Sequence, residues 1–316
     1  MIVGTDLHCS VLSLGGVSLG STNSKEDSFK LMDRYVERGG NIIDTAEVYA
    51  NWLDIEPNIS EKTIGQWMKE RNNRDQLIVT TKGAHPNLQT MNVSRLSHQD
   101  IQADLEQSLR NLKVDSIDLY WLHRDDEKVS VGEILESLNR EKKAGKIRYF
   151  GCSNWRKNRI EEAQKYAEEH GIQGFVSNQV MWSLAEVDQT KLKDSTLVTM
   201  DEELKHYHQT TNMSVFAYSS QAQGLFTKWN SGVYALEDER IPAHYGTEKN
   251  IKRYNKTVNL ANELGRSVND IMLGYLLAQS FDTFPIIGCR TLEQLEDSLQ
   301  AADVELTREQ VEYLES

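Results

Sequence analysis

The sequence has no apolar run near the roughly twenty residues that a membrane-spanning helix needs, so no membrane partner is expected. Its first residues, MIVGTDLHCS, show no basic stretch leading into an apolar core, which argues against a secretory signal. Cysteine is scarce. The three present, Cys9, Cys152 and Cys289, are unclustered, which excludes a disulfide framework and points to a reducing, cytoplasmic setting. No Cys/His spacing resembles a zinc site, and no metal is expected. No G-x-G-x-x-G follows a strand, so a Rossmann dinucleotide fold has no anchor. Positive charge is in the minority, 35 Lys and Arg against 48 Asp and Glu. The resulting net charge of −13 disfavours nucleic acid as a partner, and any bound anion must be held by local positive groups. Linkers and low-complexity tracts are missing too, so the 316 residues are expected to form one domain, 1–316. Nothing indicates an oligomeric state.

What is present is alternation. Short apolar, β-branched runs at 11–15, 41–44, 77–81, 117–122, 147–151, 175–178, 214–218 and 284–287 read as strands buried on both faces. Helical patterns fill the gaps. Ser24–Asp27, Ser97–Asp100, Ser130–Glu133, Thr199–Glu202, Ser267–Asp270, Thr291–Gln294 and Thr307–Gln310 have the spacing of capping boxes. Ile101, Leu105, Leu109 and Leu112 form one apolar stripe. Gly in RGGN (38–41) and KAGK (143–146) falls just past helix ends. Eight β-then-α units predict a parallel (β/α)8 TIM barrel. Residues before 11 are expected to form a β-hairpin over the barrel floor, and two extra helices are expected near 249–264 and 307–315.

Three successive strands end on ionisable residues. NIID ends on Asp44, LIVTTK on Lys82 and IDLYWLH on His123, with Tyr49 five residues past Asp44. In a parallel barrel the strand C-termini form one rim, where active sites of this fold sit. Side chains alternate along a strand. Ile42 and Asp44 therefore share a face, as do Ile78, Thr80 and Lys82, and Leu119, Trp121 and His123. Singly, each has a bland reading: a turn-forming Asp, a solvated Lys, a hydrogen-bonded structural His. Three in succession with a Tyr in reach favour a common site. Asp44 would fix a charged Lys82, and the ammonium is expected to lower the Tyr49 pKa from near 10. Tyr49 then serves as a general acid, with His123 near the same oxygen. Such a proton suits a carbonyl oxygen gaining charge as hydride attacks its carbon.

The pieces NIIDTAEVY (41–49), VTTK (79–82), IDLYWLH (117–123), GKIRYFGCSN (145–154), SNQV (177–180), VFAYS (215–219) and PIIGCRTLEQLEDSL (285–299) together resemble the aldo-keto reductase family, in family order over essentially the whole chain. The resemblance implies that Asp44, Tyr49, Lys82 and His123 are a catalytic tetrad and that the reaction is hydride transfer between NAD(P)H and an aldehyde or ketone. It implies that Ser153, Asn154 and Gln179 hold the nicotinamide carboxamide and that Tyr218 stacks on the ring. Ser219 and Gly288 join the cofactor contacts. Arg290 is placed at the 2′-phosphate of NADPH, and Gln294, Asp297 and Ser298 near the adenosine. Independently, Arg290 precedes Thr291, the N-cap of a helix, and a helix N-terminus with an arginine beside it suits phosphate. NADPH is therefore the expected cofactor, with NADH as the second choice. Ser220 and Gln221 stand where the family more often has Pro and Leu, Gln223 where many relatives carry a basic residue, and Ser298 where Asn is common, so this loop departs from the family pattern at its pyrophosphate contacts.

The substrate pocket must come from loops after the strands. Trp52, Trp155 and Trp229, with RDDE (124–127), suggest a small carbonyl compound, and one derived from a sugar fits aromatic faces among carboxylates. An NADPH-binding regulatory or redox-sensing subunit with little turnover is the alternative. A glycosidase with paired carboxylates would leave Lys82 and His123 without a role.

Overall fold

The computed structural model describes all 316 residues. Eight parallel strands close into a barrel in sequence order. They are β1 (Ser13–Gly15), β2 (Ile42–Asp44), β3 (Ile78–Gly83), β4 (Ile117–Leu122), β5 (Ile147–Ser153), β6 (Ser177–Met181), β7 (Ser214–Tyr218) and β8 (Thr283–Ile287). The helices are α1 (Lys25–Glu37), α2 (Ile59–Arg71), α3 (His98–Leu112), α4 (Val131–Lys143), α5 (Lys157–His170), α6 (Glu202–Thr211), α7 (Leu225–Asn230), α8 (Glu248–Leu264), α9 (Val268–Leu277), α10 (Leu292–Gln300) and α11 (Arg308–Glu315). The expected extra helices are α8 and α11; α7, inside the long loop after β7, is a third. No helix is long and apolar enough to cross a membrane.

Local sequence explains most boundaries. Ser267 and Thr307 make full capping boxes with Asp270 and Gln310. Ser24, Ser97 and Thr291 cap with their own side chains. Ser130 caps from a different bond than expected, accepting from the Gly132 amide rather than from Glu133. Thr199 does not cap; Asp201 does, accepting from the Leu204 amide. The carboxylate two residues on is the better placed acceptor, and Thr199 instead bridges to Met181 beside β6. Gly39 and Gly145 adopt φ of +85° and +76° where α1 and α4 end.

The segment before β1 departs from expectation. Residues 1–10 contain no strand. The Ile2 amide donates to Leu7 O at 3.1 Å and the Thr5 amide to Ile2 O at 3.2 Å, which closes a compact turn rather than a hairpin. The turn still caps the barrel, because Ile2 and Leu7 pack with Ile42, Ile78, Leu119, Trp121, Phe216, Phe284 and Ile286 inside it. Gly151 makes room there: a Cβ would lie 2.6 Å from both the Trp121 ring and Ser177 O. A second, larger core joins the outer strand faces to the helices, including Ile101, Leu105 and Leu112 of the stripe on α3.

That outer layer holds a buried acid. Glu61 on α2 accepts from Thr81 Oγ1 at 2.6 Å and from Asn111 Nδ2 at 2.8 Å. Burial pushes its carboxyl up from 4.5 to about 7, the two hydrogen bonds only partly opposing it. Folding therefore favours the protonated form. Its contribution is present below about pH 4.5 and is lost as pH rises through about 7. Replacing Glu61 by Gln should remove this dependence, so that the variant gains stability relative to the parent as pH rises from 4.5 to 8. Thermal unfolding of both proteins between pH 4.5 and 8 checks it; parallel profiles would contradict the assignment.

Candidate active site

The barrel interior changes character toward the strand C-termini. Below are Ile42, Ile78, Leu119 and Trp121; above them, on the same inward faces, come Asp44, Lys82 and His123. Register sets Asp44 beside Thr80 and Lys82 beside Trp121. All three ionisable groups are buried.

Lys82 is the hub. Its Nζ donates to Asp44 Oδ2 at 2.6 Å, Thr45 O at 2.7 Å and Tyr49 OH at 2.9 Å, using all three ammonium hydrogens. The same atom lies 4.6 Å from the Tyr49 ring centroid. Burial works against the charge, but Asp44 and Tyr49 outweigh it and hold the ammonium above the ordinary lysine value. Asp44 Oδ1 accepts from Thr80 Oγ1 at 2.7 Å and Gln179 Nε2 at 2.9 Å, so both of its oxygens are engaged. Tyr49 is partly exposed at the mouth. Its pKa is raised, not lowered: desolvation outweighs the ammonium, which acts in the expected direction, and Asp44 adds to the rise. The expectation of a lowered value fails because a phenolate in this partly desolvated site loses more hydration than one shared ammonium returns. The phenol therefore keeps its proton at neutral pH, and Lys82 reduces the cost of giving it up.

His123 meets Tyr49 edge-on, with ring centroids 6.0 Å apart. Burial first, then the positive Arg124, holds its pKa well below 6.5, so the imidazole is neutral. Its Nδ1 is enclosed without a partner, whereas Nε2 makes no protein hydrogen bond and is not enclosed. The proton is less costly on Nε2, where a ligand can accept it. His85, which sequence reasoning did not single out, packs against His123 with centroids 4.8 Å apart. Arg124, read before only as part of a polar loop, is buried and bonds His123 O, Thr196 and Asp194. The cue for His85 was its place three residues past Lys82, in the loop that leaves β3 at the rim.

Beside this cluster lies a set of groups suited to an amide. Ser153 and Gln179 are register partners across β5 and β6. Ser153 Oγ accepts from Asn154 Nδ2 at 3.2 Å and keeps its own hydrogen to donate. Gln179 commits Nε2 to Asp44, and its Oε1 has no protein partner and is not enclosed. One donor and one acceptor on neighbouring strands complement a primary carboxamide such as that of nicotinamide. Asn154 is fully used: its Oδ1 accepts from Tyr218 OH at 2.6 Å and the Val198 amide at 3.1 Å, and its Nδ2 reaches His123 O. It orients Tyr218 rather than offering free atoms.

The loop after β7 turns through left-handed backbone at Ser219, Ala222, Gln223 and Gly224. Gln221 staples it in place. Its Nε2 donates to Ser298 Oγ and Asn269 Oδ1, both at 3.0 Å, and its Oε1 accepts from the Gly288 amide at 3.3 Å. Ser298 is buried and shares that staple, so it faces Gln221 rather than open space. Asp297 accepts from Asn269. Gln294 Oε1 accepts from the Arg290 amide at 2.8 Å. The Arg290 side chain is exposed and in no ion pair with a protein carboxylate.

The substrate tryptophans divide. Trp52 is 53% exposed and edge-on to Tyr49. Trp155 is fully buried against Phe175 and Arg159, and Trp229 is buried against Phe226 and Tyr254. Both expectations fail because these rings fill space between helices and loops instead of facing the mouth. The RDDE loop is likewise committed: Arg159 holds Asp125 at 3.0 Å, and Asp126 accepts from the Lys128 amide at 3.0 Å. The features that suggested a sugar are thus largely spoken for. The loops after β2, β3 and β7 instead expose Trp52, Leu53, Ile55, Met91, Val93, Val233 and Leu236.

The profile of the aldo/keto reductase family matches residues 11–316. Over 98% of its length the chain is 29% identical to norsolorinic acid reductase B of Dothistroma septosporum, covering 78% of that protein. It is 30% identical to the probable aryl-alcohol dehydrogenase AAD4 of Saccharomyces cerevisiae, with 94% of this chain and 89% of that one aligned. A crystal structure of the thermostable aldo-keto reductase Tm1743 superimposes over 100% of this chain and 97% of its own with a TM-score of 0.75, at 23% identity.

Proposed function

The chain belongs to the aldo/keto reductase family of oxidoreductases, and from that premise we propose that it reduces an aldehyde or ketone with NADPH, Tyr49 acting as general acid. The observation that carries the reading is the single ammonium bonded at once to Asp44, Thr45 O and the Tyr49 hydroxyl. A positive charge fixed on a protonated phenol is of use where negative charge is about to form.

Ser153 and Gln179 would hold a nicotinamide against Tyr218, and that ring would supply the hydride. The protein's own groups do the rest. His123 Nε2–H and Tyr49 O–H converge on the carbonyl oxygen and fix its orientation. As that oxygen gains charge, Tyr49 transfers its proton and the resulting phenolate is stabilised by Lys82. Asp44, held by Thr80 and Gln179, keeps Lys82 charged and in place. Because Gln179 bonds Asp44 and also offers Oε1, one side chain ties the cofactor end to the acid end. Pre-positioned charge of this kind is a large source of rate enhancement.

The unpaired Arg290 at the start of α10 supports NADPH over NADH. Replacing Arg290 by Ala should weaken NADPH binding about 10- to 100-fold, the worth of a charge-assisted phosphate contact, and change NADH binding little. Fluorescence titration with both nucleotides reads this, and equal losses would remove the 2′-phosphate assignment. The apolar rim around Trp52 favours a carbonyl with an aryl or similarly apolar body, consistent with relatives named for aryl alcohols and for norsolorinic acid. Steady oxidation of NADPH with benzaldehyde tests the reading; tight NADPH binding without turnover of any carbonyl would favour the regulatory alternative.

A further inference from the structure

We propose that His85 determines substrate specificity, its Nε2 lone pair accepting a hydrogen bond from a hydroxyl on the carbon next to the substrate carbonyl. The inference deepens the function proposed above and rests on it.

His85 Nδ1 lies 2.6 Å from Pro86 O. A carbonyl only accepts, so Nδ1 carries the hydrogen. Burial, aided by the positive Arg124, lowers the His85 pKa to about 4, so no second proton is present at neutral pH. Nε2 is therefore a bare acceptor. It makes no protein hydrogen bond and is not enclosed, although the ring is half-buried.

Its neighbour has the opposite polarity. His123 keeps Nδ1 enclosed and partnerless and turns Nε2–H outward. The two rings pack at 66° with centroids 4.8 Å apart, so a donor-bearing and an acceptor-bearing ring stand side by side, His123 being the one that meets Tyr49. Neither is used by the protein. In the proposed pose the carbonyl oxygen faces His123 and Tyr49, and the substituent on its adjacent carbon meets His85, whose ring packs on His123. An α-hydroxyl would donate there. An ether or alkyl group would leave Nε2 desolvated and unpaired, which is the costly outcome for a buried acceptor. Arg124, whose charge also acts on His85, is already committed to His123 O, Thr196 and Asp194. Trp52, on the other side of Tyr49, offers an apolar face for the rest of the molecule. Together these describe an aryl α-hydroxy carbonyl.

The test compares 2-hydroxyacetophenone with 2-methoxyacetophenone, which differ in the donor and little in the electron withdrawal at the carbonyl. Benzaldehyde with NADPH is the reference reaction. The parent protein should favour the hydroxy ketone by about tenfold in kcat/KM, the scale of one well-placed hydrogen bond. In His85→Leu that ratio should fall to near unity. His85→Gln, whose Oε1 can accept near the position of Nε2, should recover part of it. The ratio within each protein cancels any general loss of turnover, and if His85→Leu does not fold, His85→Asn, too short to place an acceptor at that point, reads the same ratio. A parent ratio near unity, an unchanged ratio in His85→Leu or His85→Asn, or reduction of benzaldehyde with both ketones refused would each overturn the role of His85 while leaving carbonyl reduction standing. Failure to reduce benzaldehyde as well as the ketones would remove the proposed function and this inference with it.

Discussion

Tyr49→Phe is expected to lower kcat/KM for carbonyl reduction by about 10²–10⁴, the usual contribution of a positioned general acid, with NADPH affinity changed no more than about twofold. The reason lies in what the hydroxyl touches. Its one protein hydrogen bond is to Lys82 Nζ at 2.9 Å. Removing it leaves Lys82 with Asp44 and Thr45 O, so the ammonium stays charged and placed. The ring still packs against Trp52 and His123. Ser153 and Gln179 lie on other strands and keep their atoms for the nicotinamide. A pure loss of the proton source should appear in kcat more than in cofactor binding. Turnover retained within about tenfold would mean that another group, His123 foremost, delivers the proton.

Lys82→Met should be more damaging, because it removes a catalytic charge and unbalances a buried site. Asp44 is 1% exposed and would keep only Thr80 and Gln179 as donors. Breaking a buried ion pair from one side typically costs about 3–5 kcal/mol. A fall of that order in unfolding free energy is expected, along with loss of activity at least as large as for Tyr49→Phe. The double variant Asp44→Asn with Lys82→Met separates the two effects. It should recover much of the stability, since no unpaired charge remains, and none of the activity. Chemical denaturation of the parent, both single variants and the double variant gives the coupling energy. A single variant as stable as the parent would show that Asp44 does not depend on Lys82 for its burial.

The fold was largely legible because its signals are local. Each strand is a short apolar run, and all eight were recognisable within two or three residues at their ends. The stripe on α3, the capping residues of α1, α3, α9, α10 and α11, and the two left-handed glycines act through neighbours in sequence. The inward row of Asp44, Lys82 and His123 followed from period-two alternation once the strands were parallel. The N-terminal hairpin failed because its two arms are joined by a single cross-segment backbone bond, Ile2 to Leu7, too little for a ladder. Trp155 and Trp229 failed because proximity to a strand end says nothing about which way a ring turns.

The sequence by itself determined the closed parallel barrel and the strands that lift a carboxylate, an ammonium and an imidazole to one rim, since alternation and helical spacing are properties of consecutive residues. Only the tertiary structure decided the state of those groups. The raised pKa of Tyr49, the neutral imidazoles of His123 and His85, the commitment of Asp125 to Arg159 and the freedom of Arg290 all depend on burial and on partners tens to hundreds of residues away. Desolvation and charge pairing act through space, and no stretch of sequence contains the distances that set them.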